Sequence, residues 1–176
     1  MITRRHIRIK VMHHLYAQST DLDMGAAVLL RNLDKSMDEV HDLFAWDISA
    51  FLRLNKEAQA HYERIEQRSA PDQAALDRIA RFTSISFFAK CGQSSALSAL
   101  IEGSHVNWSD YSHHFRNLWE TIYASERYEE FLSQTPTHAG DKRFLREIYQ
   151  QNIAENEFIH DLYEDQHAQW RYGVAA

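Results

Sequence analysis

The chain has 176 residues, enough to bury a core in one domain or two small ones, and its 44% hydrophobic and 25% charged residues exclude a disordered polymer. Five glycines and two prolines are too few for the turns of an all-β protein, and the single cysteine, Cys91, excludes an internal disulfide framework and fits a reducing compartment. No apolar run approaches the roughly 18 residues of a membrane span, and a formal net charge of -6 fits poorly with tight stand-alone binding to a polyanion.

In chain order, residues 3–18 read as a first helix that ends before the polar stretch STDLD. From about residue 23 a helical pattern runs to about residue 67. Its apolar positions Leu29, Leu33, Met37, Val40, Phe44, Ile48, Phe51 and Leu52 step by three and four, as one helical face requires. This exceeds an ordinary globular helix and leaves room for a kink. In RSAPDQAAL, Ser69 is a capping residue and Pro71 suits a first turn, where its missing N–H costs nothing. The helix that follows is expected to end near Gly92, and a short one over residues 94–101 to stop at Gly103.

NWSDYSHHFRNLWETIYAS gives a further amphipathic helix, with Tyr111, Phe115, Leu118, Trp119 and Ile122 toward the core. The short piece ERYEEFLS follows, and TPTHAG reads as an exposed connection. Asp141 is expected to cap the last helix, in which Phe144, Leu145, Ile148, Tyr149, Ile153, Phe158 and Leu162 face inward. There is no repeat and no alternating strand pattern. The expected fold is an all-α helical bundle, read as one domain over residues 1–176.

Eleven histidines raise the question of a metal. Glu157 and His160, three apart in ENEFIH, share a helical face and form half of the paired Glu-x-x-His arrangement of di-iron bundles. Such a site needs a second pair and two more glutamates; Asp38 with His41 has the wrong acid. A solvated face is the expectation, with no metal and no cofactor. The adjacent pairs His13–His14 and His113–His114 diverge by about 100° on a helix and do not chelate alone. No glycine-rich phosphate loop or nucleophile elbow is present, and Cys91 has no local base, so no enzyme is expected.

The opening RRHIRIKVMHHLY departs from the acidic whole. The first 20 residues carry Arg4, Arg5, Arg8 and Lys10, three histidines and no carboxylate. No apolar segment follows the twin arginine as a secretory leader requires, although a mitochondrial presequence shares the Arg-rich, acid-poor description. On a helical wheel Ile7, Val11 and Leu15 form an apolar line, broadened by Met12, Tyr16 and Ile9, while Lys10, His6 and His13 lie opposite. Arg4 and Arg8 fall within the apolar arc, where a guanidinium needs a carboxylate or a phosphate. The amide groups and dipole of a helix N-terminus add to anion affinity there. For Arg4, Arg5 and Lys10 an external polyanion is expected; for Arg8 an internal ion pair and an exposed position both stay open.

Arg-Arg-x-x-Arg, followed by Val11 and the Leu15-Tyr16 pair, resembles the N-terminal helix of the NusB family of transcription antitermination factors. Ile7 and Val11 stand where that family usually has alanine, and His13 where it has glutamine. LDKSMDEVHDL, NWSD…FRNLWETIYASERYEEF and DKRFLREIY are similar in pattern to the longer NusB-like proteins of Bacteroidetes type. The resemblance implies an all-helical, cytoplasmic, non-enzymatic protein. It would bind boxA-like single-stranded RNA with the small-subunit ribosomal protein NusE, within the RNA polymerase antitermination complex of ribosomal RNA operons. It passes an RNA-binding role to Arg4, Arg5 and Arg8; Lys10 is added on charge alone. The family's C-terminal half has no counterpart in this sequence. The alternative is a helical protein–protein adaptor that keeps the ancestral first helix without binding RNA.

Overall fold

The computed structural model describes residues 4–20 and 25–166; the side chains of Arg4, Arg5, His6, Val40, His160 and residues 164–166 lie outside the described set. All regular structure among the described residues is helical: α1 (Arg4–Thr20), α2 (Ala26–Glu66), α3 (Gln73–Thr83), α4 (Ser86–Gln93), α5 (Ser95–Gly103), α6 (Ser112–Tyr123), α7 (Glu126–Ser133), α8 (His138–Tyr149) and α9 (Glu157–Gln166). The chain is all-α. It divides into two compact units, Ala45–Asn156 and Met1–Phe44 with Glu157–Ala176, and α2 runs through the division.

Short side chains set the starts of the helices in the larger unit. Asp72, Ser94, Ser125 and Thr137 each accept a hydrogen bond from a first-turn amide, at 3.1, 3.2, 3.2 and 3.1 Å. Asp72, and not Ser69, therefore caps α3. Thr137 begins α8 inside the segment read as a connection, which places Asp141 in the first turn, where it is bound by Arg81.

The helix expected to run from Pro71 to Gly92 breaks at Ser84–Ile85. Thr83 and Ser84 turn their hydroxyls back onto helix carbonyls, and Ile85 leaves helical backbone, with φ -57° and ψ 123°, and its side chain is buried in the core. The last predicted helix also divides. A π-helical turn at Gln150–Ala154 separates α8 from α9.

The core of the larger unit is aromatic. Phe82 lies 4.9 Å from Trp119 and 5.2 Å from Phe88, and Phe131 stacks on Phe144 at 4.0 Å between centroids. Each described tryptophan carries its N–H to an acceptor: Trp46 donates to the Ser104 carbonyl, Trp108 to Ser49 Oγ and Trp119 to His61 Nδ1. Tyr128, with no exposed surface, donates its hydroxyl to the Arg78 carbonyl at 2.7 Å. Arg78 itself pairs with Glu129 and lies over the Tyr123 ring.

The bond from Trp119 has a pH consequence. His61 accepts through Nδ1, so it is neutral in the fold. Burial, then the Arg64 charge, hold its pKa below the ordinary imidazole value of 6.5 despite Glu120. Burial lowers His114 as well. The unfolded chain therefore binds protons more readily than the fold as pH falls through 6.5, and stability is lost below that point. Urea midpoints at pH 7.5 and 5.5 are expected to show a lower value in acid. His61→Gln, whose amide oxygen can still accept from Trp119, is expected to shrink that difference; an unchanged difference would take the effect away from His61.

Candidate nucleic-acid interface

α1 contains no Asp or Glu along its 17 residues and has no acidic side chain in its first turn. Arg4 and Arg5 thus begin a helix at the positive end of its dipole, where a cation is unfavourable on the order of 0.3–1 kcal/mol unless an anion is supplied. Their backbones are helical, while their side chains lie outside the described residues. Arg8 is exposed and makes no ion pair or hydrogen bond among the described residues. Of the two positions open to it, the structure has the exposed one.

The wheel orientation of α1 is corrected by the structure. Lys10, placed on the polar side, is 3% exposed, whereas Met12, Leu15 and Tyr16 are 63%, 52% and 72% exposed and Ile7 is also open to solvent. His13, His14 and Ala17 are half-buried on the Lys10 side, and Val11 is half-buried too. Lys10 thereby leaves the proposed RNA surface, because a phosphate cannot reach an ammonium on the inward face without displacing protein. Burial pushes its pKa below the usual lysine value, partly offset by the charge of Glu39 on α2. The four-carbon stem lets a charged residue occupy that face, since it supplies apolar contact, and the charge of Glu39 offsets part of the desolvation of the head.

Elsewhere the predicted constellations stay apart. Glu157 is exposed on α9, and the side chain of His160 lies outside the described residues. Among the described residues no three His, Cys, Asp or Glu side chains are grouped closely enough to hold a metal ion. His113 is exposed and His114 half-buried beside Asn156, so the adjacent pair diverges. Cys91 is buried, and burial raises its thiol pKa, which opposes formation of the reactive thiolate.

A cleft of about 270 Å³ between α7 and α8 was not legible in the sequence. Its walls are Arg127, Glu130, Arg143 and Glu147 over Phe131 and Phe144. Arg127 is engaged by Glu130 at 3.1 Å and Glu147 at 3.3 Å, and Arg143 donates to the Gln134 side chain at 2.6 Å. The charges balance one another and present no acid–base pair poised on a substrate. No helix among the described residues is long and apolar enough to cross a membrane.

No family model, curated protein or solved structure matches this chain.

The two placements of charge on α1 give opposite expectations. Lys10→Met is expected to leave stability unchanged or to raise it by about 1 kcal/mol, since it removes a desolvated ammonium and leaves half-exposed Glu39 in reach of water. The salt dependence of RNA binding is expected not to move. Chemical denaturation together with an RNA titration decides it; unchanged stability with weakened RNA binding would return Lys10 to the surface.

Proposed function

We propose that this chain is a non-enzymatic, RNA-binding transcription antitermination factor of NusB type. It acts in the cytoplasm with NusE on boxA-like RNA within the RNA polymerase antitermination complex. The observation that carries the reading is the state of α1. It is a helix without a carboxylate, cationic at its positive end, whose Arg8 is exposed with no ion pair among the described residues. A cation left in that state is available to a phosphate, and several together supply the sequence-independent part of RNA affinity. The Arg-Arg-x-x-Arg and Leu-Tyr pattern supports the NusB assignment, and the all-α fold is compatible with it.

In this reading the arginines position the RNA backbone, and the overall charge of -6 makes the chain a weak binder alone. In this reading NusE is expected to raise the affinity. Changing Arg4, Arg5 and Arg8 together to alanine is expected to weaken binding to single-stranded boxA-like RNA by more than about tenfold at low salt. The same change should flatten the plot of log affinity against log salt by up to about 2, at about 0.7 for each single-strand phosphate no longer neutralised. Circular dichroism should stay unchanged, because Arg8 is exposed and surface substitutions usually move stability by no more than about 0.5 kcal/mol. Wild-type affinity and slope in the triple variant would remove the RNA assignment from α1.

A further inference from the structure

α8 carries two carboxylates, Asp141 and Glu147, and three cations, Lys142, Arg143 and Arg146. In an isolated helix Arg143 and Glu147, four apart, would support one another. The fold commits both acids to other helices instead. Arg81 of α3 takes Asp141, and Arg127 of α7 takes Glu147 at 3.3 Å. Glu130, which shares the cleft with Arg143, also pairs with Arg127, at 3.1 Å.

The three cations of α8 are thereby left without acids. Lys142, Arg143 and Arg146 are exposed and make no ion pair among the described residues. Arg143 gives one N–H to the Gln134 side chain at 2.6 Å and keeps its remaining donors. At 3.6 residues per turn the three lie within an arc of about 100°, opposite the buried Phe144, Leu145 and Ile148. Lys142 and Arg146 stand one turn apart, about 6 Å along the axis.

A face of this kind can hold a partner only through charge. A protein interface needs an apolar centre, and the larger unit exposes no large hydrophobic side chain among the described residues. A membrane surface takes a helix by its apolar face, and that face of α8 is buried in the core. A phosphate backbone needs neither, because lysine and arginine neutralise it without an apolar contact.

We propose that the outward face of α8 is a second polyanion-binding surface, on which Lys142, Arg143 and Arg146 hold the phosphate backbone of single-stranded RNA. The choice of RNA as the polyanion rests on the reading given above. The surface itself belongs to the larger unit and shares no residue with α1.

The probe is a fluorescein-labelled oligouridylate, since phosphate contacts carry no base preference. Its anisotropy is followed with the full chain across a potassium chloride series. Lys142→Gln/Arg143→Gln/Arg146→Gln is expected to weaken binding by about tenfold at low salt and to flatten the plot of log affinity against log salt by up to about 2. The three side chains are exposed, so the urea midpoint should not move. Lys142→Gln/Arg146→Gln, which keeps the bond from Arg143 to Gln134, should give a proportionate part of the change in slope. Removing the same charge from other exposed positions, in Lys56→Gln/Arg68→Gln/Lys90→Gln, is expected to change affinity by less than about twofold.

An equal loss in that control would assign the effect to net charge and overturn the proposal. So would wild-type affinity and slope in the α8 variants, or no binding of the oligouridylate by the wild-type chain. Polyglutamate bound as tightly as the RNA would make the face one for an acidic peptide. Loss of binding to phosphatidylglycerol vesicles with RNA binding intact would make it one for a membrane; either result overturns the proposal. Weakening in the α8 variants but not on changing Arg4, Arg5 and Arg8 supports this surface and removes the RNA role of α1. The reverse pattern removes this surface and leaves α1 its role.

Discussion

A cation removed from water must be met by a carboxylate, and that requirement organises both the interior and the surface of this chain. In the larger unit Arg53 is bound by Glu57, Arg81 by Asp141 and Arg78 by Glu129. Arg81 also lies over the Phe131 ring at 4.1 Å, so one guanidinium joins α3, α7 and α8 through charge and aromatic contact together. In the smaller unit Lys10 is buried, with the charge of Glu39 offsetting part of its desolvation, while Arg8 is left in water with no partner on its own helix. The same constraint that closes the arginines of one unit leaves α1 with an exposed charge that another molecule can neutralise.

The aromatic core obeys the corresponding rule for neutral donors. Trp46, Trp108, Trp119 and Tyr128 bury large rings, yet each delivers its one polar hydrogen to an acceptor placed by another part of the unit. Trp119 ties α6 to α2 through His61, and Tyr128 ties α7 to α3 through the Arg78 carbonyl. These bonds set the rotation of each helix as well as its depth, because an indole or phenol turned away from its acceptor would leave a buried donor unsatisfied. Histidine as the acceptor makes one of these ties sensitive to acid; a carbonyl does not.

The helical class and the inward residues of α6 and α8 were legible because they rest on periodicity, which is a property of the sequence. Phe115, Leu118, Trp119, Ile122, Phe144, Leu145 and Ile148 are buried as their three-and-four spacing requires. The break at Ser84–Ile85 was not legible, since no glycine or proline marks it; Ser and Thr hydroxyls close the turn by bonding to carbonyls within it. Thr137 was missed as a cap because Asp141 is the stronger signal in isolation, and Asp141 instead serves Arg81, 60 residues away in sequence. Such partners are set by tertiary contact and leave no local trace.

α1 shows where the wheel argument stops. It assumes that the apolar arc of a helix seeks the core, which holds when the helix has one neighbour to bury it and the polar arc has only water. Here the arc holding Ile7, Met12, Leu15 and Tyr16 faces out, and the arc holding Lys10 faces in, although the residues themselves are unchanged. Lysine tolerates the exchange because its stem is apolar and the charge of Glu39 offsets part of its desolvation; arginine at position 8 is exposed, with no ion pair among the described residues. Turning α1 over to bury Leu15 and Met12 would exchange exposed apolar surface for a desolvated guanidinium, which is the larger cost unless an acid such as Glu39 meets it.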